Sequence, residues 1–377
     1  MEQATRFVGL DVHKETIVVA VTSAGEVGKA THHGTMPNTP AALENLVRRL
    51  RTAGSGALKF CYEAGPCGYG VHRTLTRLGE DCMVVAPSMI PRRSGDRQKN
   101  DKRDAAALAV LHRGGLLTAV WVPDTAHEAM RDLVRARQAA VRAVRAARQQ
   151  LSAFLLRHER IFPSDGRPWT KTHRSWLADQ RFDQPAQQIV LEESIEAVRL
   201  AEQRRDRVDG YLRAQIPSWS LFTLVRNLCA LRGVDVIVGA GLAAAIGDPS
   251  RFATAPDFMA YLGLVPSEHS SGQRRRVGAI TKAGDIHART MLIEAAHSYR
   301  LPARIARRKL KAVDAVPDAV REIAWKAQTR LCQRYRQMMA RDKLKQVVVT
   351  AVARELAGFV WAIACTTSDP SAHRSIS

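Results

Sequence analysis

The chain has little acid for its length and few aromatics. Asp and Glu number 36 against 57 Lys and Arg, and Phe, Trp and Tyr make up 6% of 377 residues. None of the six cysteines, Cys61, Cys67, Cys82, Cys229, Cys332 and Cys365, stands in a Cys-x-x-Cys pair. Neither a zinc ribbon nor a disulfide framework is therefore expected, and the thiols read as those of a reducing cytosol. The opening Met1-Glu2-Gln3-Ala4-Thr5-Arg6 lacks the apolar core of a signal peptide. No apolar run is expected to be long enough to span a bilayer, so the expected setting is cytoplasmic, with no membrane partner. The six tryptophans are scattered, so the sequence shows no stacking platform.

What is abundant is positive charge. The formal net charge is +21, which calls for a polyanionic partner because surface Lys and Arg attract phosphates and displace their counterions. Residues 1–110 hold 15 Lys/Arg against 11 Asp/Glu, and the remainder 42 against 25, so the basic surface lies mostly beyond the N-terminal region. Hydrophobic residues at 46% are enough for a real core.

The first 110 residues alternate in type. Arg6–Val12 and Thr16–Thr22 read as strands, with Val27–Gly34 as a third, a meander. A helix over Pro40–Arg51 capped by Thr39 follows. Then come a strand Leu58–Tyr62 ending at Glu63, a helix Gly70–Leu78, a strand Cys82–Ala86, a basic loop Pro91–Asn100 and a helix from Asp101. This order suits an α/β, ribonuclease-H-like mixed sheet. From His127 to Arg160 Ala and Arg dominate, with Val134, Val141, Val144, Leu151 and Leu155 forming a narrow apolar seam. Arg131, Arg135, Arg142 and Arg145 lie on another face. A break over Phe162–Pro185 precedes a second long helix, Ala186–Ile216, and the pair reads as a helical coiled-coil arm with a role in oligomerisation. The last part is mainly α: an apolar helix Val236–Ile246, a Ser/Gly/Arg-rich stretch Ser267–Gly284, and helices over His287–Tyr299, Asp318–Met339 and Lys343–Ala364. The expected domains are 1–120, 121–219 and 220–377.

Four acids stand out by position. Asp11 ends the first strand, Glu63 ends a later one, and Asp101 and Asp104 open a helix on one face. Hard divalent cations take oxygen ligands, and two such ions can drive phosphodiester displacement. Carboxylates brought together would repel one another without a cation. Each also has an ordinary reading: a solvated turn for the strand-end acids, a cap or first-turn acid for Asp101 and Asp104. Arg92, Arg93, Arg97, Lys99, Lys102 and Arg103 rim the last two acids. His13 and Lys14 suit either phosphate contact or a polar hairpin turn.

The second cluster is Gly263-Leu264-Val265-Pro266-Ser267-Glu268-His269-Ser270-Ser271-Gly272, followed by Arg274-Arg275-Arg276, then Thr281-Lys282-Ala283-Gly284. A serine hydroxyl beside fixed cations can attack phosphorus; a surface loop capping a helix is the plainer reading.

Gly9-Leu10-Asp11-Val12-His13-Lys14, Tyr62-Glu63-Ala64-Gly65, the Asp101-x-x-Asp104-Ala105 helix and the serine stretch together resemble insertion-sequence transposases with a RuvC-like Asp-Glu-Asp-Asp domain, the IS110 type. The resemblance covers nearly the whole chain. It implies Mg²⁺ bound by Asp11, Glu63, Asp101 and Asp104, and a serine nucleophile at Ser271, with Ser270 its neighbour by one register step. It further implies DNA contacts from Arg103, Arg274, Arg275, Arg276 and Lys282, a non-coding bridge RNA, and a tetramer built of dimers acting on element ends and target DNA. Leu231–Gly247 resembles that family's helix-hairpin-helix, except that Asp235 stands where a glycine is usual, which weakens a phosphate grip there. The alternatives are a two-metal junction nuclease without serine chemistry, a non-catalytic nucleic-acid-binding protein, and a sugar-kinase-like ATPase, the last lacking a second glycine-rich phosphate loop.

Overall fold

The structure, a computed structural model, describes residues 4–25, 30–91, 101–163, 166–268 and 276–368. It divides into two compact units, Met1–Val122 and Pro123–Ser377.

The first unit is built on one sheet. Strands β1 (Arg6–Val12), β2 (Thr16–Ser23) and β3 (Thr31–Pro37) form the antiparallel meander. After helix α1 (Pro40–Thr52), β4 (Leu58–Glu63) returns parallel to β1. After α2 (Gly70–Arg77), β5 (Asp81–Val85) adds parallel to β4, and α3 (Asp101–Arg113) closes the unit. The strand order is β3-β2-β1-β4-β5. Strand alternation sorts the side chains into two layers. Val8, Leu10, Ile17, Val19, Phe60 and Tyr62 share one core with Leu43, Leu46 and Leu50 of α1. Val18 and Ala20 meet Ala105 of α3, and Cys61 meets Leu108, on the opposite face. The Thr39 hydroxyl caps α1 by accepting from the Ala42 N–H, as its sequence announces.

The third strand is displaced from its expected place: it runs over Thr31–Pro37, where Val27–Gly34 had been expected, and residues 26–29 lie outside the described set. It is an edge strand with no buried residue, so no apolar alternation marks its bounds. A bulge opposite Val19 and Ala20 further blurs the register.

The second unit begins with α4 (Thr125–Arg157), 33 residues long and capped by Asp124, followed by α5 (Lys171–Asp179) and α6 (Pro185–Gln215). α5 falls within the stretch expected to be a break; its signal was Thr170, whose hydroxyl accepts from the His173 N–H. Val134, Val144, Leu151 and Leu155 are buried along α4, but Val141 is 37% exposed, so the seam is interrupted there. Leu151, Phe154 and Leu155 pack with Leu177, Leu191 and Val198 at one end of the hairpin. Met130 and Val134 of α4, with Leu212 of α6, join the larger core of the unit.

That core is helical. It contains α7 (Phe222–Leu228), α8 (Val236–Ile246), α9 (Ala255–Tyr261), a two-stranded hairpin of β6 (Pro266–Glu268) and β7 (Val277–Ile280), α10 (Ile286–Ala296), α11 (Leu310–Asp314), α12 (Asp318–Met339) and α13 (Lys345–Ser368). α13 corrects an expectation. At 24 residues, with a mean hydropathy of 1.7 over an 18-residue window, it is by length and composition apolar enough to cross a membrane. The sequence interrupts the run with Arg354 and Glu355, and Glu355 is tied to Arg330 of α12 at 2.9 Å. Its buried positions, Val348, Val349, Val352, Leu356, Val360 and Ile363, step along one face and fill the core of this unit. That is the packing of a core helix.

Candidate metal centre and serine element

Strand β1 ends with Asp11 on the face that carries α3. Val8 and Leu10 point to the α1 side, so Gly9 and Asp11 point the other way. Gly9 is what lets α3 approach. A Cβ built at Gly9 would sit 2.1 Å from the Ala105 carbonyl oxygen and 2.6 Å from the Ala109 nitrogen. The glycine therefore brings helix backbone directly onto strand backbone. Further along, the Phe7 and His112 rings meet edge to face at 5.3 Å, and Arg113 donates to the Thr22 hydroxyl at 2.6 Å. These contacts fix α3 along its length and set its first turn beside the end of β1.

The result is a tight polar group. His13 Nε2 lies 3.2 Å from Asp11 Oδ2 and 3.4 Å from Asp101 Oδ2. One ligand atom from each of Asp11, His13 and Asp101 falls within 4.8 Å of the others. Asp11 is the most enclosed, its side chain 20% exposed against 57% for Asp101. Burial raises its pKa above the ordinary carboxylate range; Asp101 and Asp104 add to that rise, and His13 opposes it. Asp104, three residues beyond Asp101, thus sits within the same electrostatic field.

Glu63 is placed by register. Leu10 pairs with Tyr62 in the parallel ladder, so Asp11 and Glu63 are the next residues on adjacent strand ends. Cys61, two before Glu63, donates to the Leu108 carbonyl of α3 at 3.5 Å, so Glu63 belongs to the α3 face as well. Its carboxylate is exposed and stands outside the tight group of three. Two of the four acids, Asp11 and Asp101, are therefore drawn together with His13; Asp104 reaches Asp11 through its charge, and Glu63 flanks the group on the next strand.

His13 is the residue whose place the sequence left open. Its signal was the Asp-x-His spacing, since residues two apart at a strand end share a face. Gly9 was also legible as a mid-strand glycine, a mark of close backbone approach.

In the second unit, Ser270, Ser271, Arg274 and Arg275 lie outside the described residues. Their flanks are described. β6 and β7 pair antiparallel, the Thr281 N–H donates to the Val265 carbonyl at 2.9 Å, and the Lys282 N–H donates to Gly263 at 3.1 Å. Lys282 has a left-handed backbone at φ 56° and an exposed side chain, and Arg276 is exposed too. Arg289 is buried and donates to the Leu262 and Ala283 carbonyls, pinning the turn from inside. Gly284 allows this packing: a Cβ there would meet the Tyr261 carbonyl oxygen at 1.8 Å. Arg103 is exposed on α3, one residue before Asp104.

Asp235 is explained by the fold. It is the N-cap of α8, accepting from the Val238 N–H at 2.9 Å. The preceding turn is held from beneath by Lys309, whose ammonium donates to the Cys229 carbonyl at 2.6 Å and to the Val234 carbonyl. Gly233, at φ 81°, lets this turn approach α10; a Cβ would stand 2.5 Å from the Ala295 carbonyl oxygen.

Two family matches coincide with these two regions. Residues 8–160 match the DEDD transposase family of the IS110 type, described as "Transposase", a span that includes all four acids. Residues 225–310 match the family described as "Transposase IS116/IS110/IS902 family", a span that includes the serine stretch. The class these define is that of insertion-sequence transposases, enzymes that cut and rejoin DNA. Among relatives, the chain is 50% identical over 358 residues to the Sinorhizobium fredii protein named "Putative transposase y4qE", covering 95% of this chain and 88% of that one. It is 31% identical over 246 residues to the transposase for insertion sequence element IS1533 of Leptospira borgpetersenii, covering 64% of this chain and 70% of that one. The chain belongs to the IS110/IS116/IS902 family of transposases.

Proposed function

We propose that this transposase cuts and rejoins DNA with two cooperating elements: a Mg²⁺ centre held by Asp11, Glu63, Asp101 and Asp104, and a serine nucleophile at Ser271. The observation that carries the first is the convergence of Asp11, His13 and Asp101 within 4.8 Å where a strand end meets a helix start. The donor set fits the ion. It is mainly carboxylate oxygen, which suits a hard cation. The upward pull on Asp11 from burial and neighbouring acids is the charge stress that a bound cation relieves. The strand order, with three antiparallel strands and two parallel ones covered by helices, supports a RuvC-like, ribonuclease-H-like reading of residues 1–120.

Asp11, more enclosed than Asp101, would anchor the ion; Asp101 and Asp104 would complete its inner side, and Glu63 would close it from the neighbouring strand. Bound Mg²⁺ supplies charge stabilisation at the scissile phosphate. His13, between Asp11 and Asp101, would orient both carboxylates or join them as a ligand. Ser271 Oγ would form a bond to phosphorus as the bond from phosphorus to the leaving DNA oxygen breaks, its proton passing to a neighbouring base and the DNA oxygen taking up one in turn. The phosphodiester is thereby kept in a covalent protein–DNA link, ready for rejoining. Arg103, Arg274, Arg275, Arg276 and Lys282 would contact phosphates around the two elements.

The arm formed by α4 and α6 (residues 121–219) would serve assembly, and residues 220–377 the serine chemistry. A bridge RNA choosing donor and target, and a tetramer of dimers bringing the acids of one copy to the serine of another, complete the proposal. The net charge of +21 supports large nucleic-acid surfaces. The test is a denaturing gel after incubation with element-end DNA and Mg²⁺. A protein–DNA adduct is expected in wild type and absent in Ser271→Ala and in Asp11→Asn. Cutting that persists in Ser271→Ala without any adduct would replace this reading with that of a two-metal nuclease.

A further inference from the structure

The arginines of α4 fall into two sets. Those facing α6 are matched by carboxylates: Arg137 with Asp209 at 2.9 Å, and Arg148 with Glu202. Arg131, Arg135, Arg142 and Arg145, at steps of four, seven and three, lie along another stripe of the helix. Among the described residues Arg131, Arg142 and Arg145 have no ion pair, and Arg135 has only an exposed one with Asp132 on its own helix. The stripe is about 21 Å long at the rise of an α-helix. A structural role for the hairpin does not account for it, because the hairpin is held by the other set.

Both ends of the stripe lead to features of the same unit. At one end, Arg131 and Arg135 line a cleft with Asp285 and His287 at the start of α10, directly after the Lys282 turn. Burial lowers the His287 pKa, Asp285 opposes this, and Arg142 and Arg135 push it lower still, which places these cations close by. At the other end is a cavity of about 480 Å³ lined by Arg145, Arg148, Gln149, Ser152, Trp169 and Arg205. The Arg148 guanidinium stacks 4.7 Å from the centre of the Trp169 ring, and Arg148 Nε is buried without a hydrogen-bond partner. Trp169 holds a left-handed backbone, φ 68°, which for a bulky residue is a strained conformation.

We propose that this stripe and cavity form a track for a polynucleotide strand, with Arg131, Arg135, Arg142 and Arg145 on successive phosphates and an unpaired base seated in the cavity at Trp169. Gln149 and Ser152 supply hydrogen-bonding groups at the cavity edge, and an aromatic ring beside guanidiniums is the combination that takes a base and its phosphate together. The track deepens the function proposed above, since it assumes a nucleic-acid partner, and it assigns one the route from the Lys282 turn to the outer part of the hairpin.

The test is binding of the full chain, in EDTA, to labelled hairpins with and without a single bulged base, each made as DNA and as RNA. Wild type is expected to prefer the bulged hairpin by roughly tenfold, the scale of one stacked base. Trp169→Ala removes the preference and Trp169→Phe keeps it. Should Trp169→Ala unfold, Arg145→Glu reads the same cavity from an exposed position and is expected to abolish the preference. Changing Arg131, Arg135, Arg142 and Arg145 together to Gln lowers the slope of log affinity against log salt by about 3, at roughly 0.7 per lost phosphate contact. A control lacking Arg204, Arg207, Arg213 and Lys326 lowers it by less. The proposal is overturned if the two quadruple variants behave alike, or if Trp169→Ala retains the bulge preference. Whichever chemistry, DNA or RNA, shows the preference identifies the strand. All binding is read in EDTA, where the proposed metal centre holds no ion, so a failure of the track is distinct from a failure of the metal centre.

Discussion

Replacing Gly9 with Ala tests how the acids are brought together. The new methyl would lie 2.1 Å from the Ala105 carbonyl oxygen and 2.6 Å from the Ala109 nitrogen, both backbone atoms of α3. Neither can rotate away, so the helix must move off β1 by about 1 Å to relieve an overpacked contact, at roughly 1–3 kcal/mol. Part of that is offset by about 0.5–1 kcal/mol because Ala is less free than Gly in the unfolded chain. A net loss of about 1–2 kcal/mol lowers the unfolding temperature by roughly 3–10 °C for a unit of this size. The same shift carries Asp101 and Asp104 away from Asp11, and a 1 Å misplacement of reacting groups can lower a rate on the order of a hundredfold. Calorimetry with and without Mg²⁺, together with cutting of element-end DNA, reads both effects. Gly70→Ala is the control, because a Cβ there meets nothing within 4 Å, and it is expected to leave both unchanged or to stabilise slightly. Wild-type stability and wild-type cutting in Gly9→Ala would refute the reasoning.

Three further outcomes follow from the same geometry. The Asp11 carboxyl has a raised folded-state pKa; its contribution to metal-free stability is present in acid and lost as pH climbs through that pKa. Asp11→Asn should therefore raise the metal-free unfolding temperature at neutral pH while abolishing the stabilisation by Mg²⁺, a pairing that thermal melts at pH 4 and pH 7.5, at about those values, would expose. His13→Ala is expected to lower Mg²⁺-dependent cutting about 10–100-fold, the usual effect of losing a group that orients metal ligands, and unchanged activity at limiting Mg²⁺ would count against its role. Lys309→Met removes a half-buried ammonium from the Cys229 and Val234 carbonyls, which should destabilise the second unit by about 1–3 kcal/mol, measured by denaturant unfolding.

Where periodicity and capping agree, the sequence announces the element. Thr39 before Pro40, the alternation from Arg6 to Val12, and the steps along α12 are of this kind, and the acids could be placed because strand ends and helix starts were clear. What escaped lacked a local signature. β3 buries no residue, so alternation could not fix its limits. α5 sits among Trp, Pro and Gly, and only Thr170 betrayed it. α13 was legible as a helix, but Arg354 and Glu355 within its apolar run concealed that it meets the length and hydropathy of a membrane span. Asp235 looked like a misplaced acid beside a phosphate-gripping turn; folded, it is a helix cap. The gathering of His13 with Asp11 and Asp101 depends on how closely α3 approaches β1, a tertiary distance that Gly9 permits and that its place in mid-strand only hints at.

The central claim is that a divalent ion sits among these side chains. The most direct measurement is Mn²⁺ titration of the full chain followed by electron paramagnetic resonance, for wild type, Asp11→Asn and Asp101→Asn. The account predicts that wild type depletes the free-ion signal at low ion concentration and that each variant fails to do so while remaining folded. Equal depletion by all three proteins would contradict it.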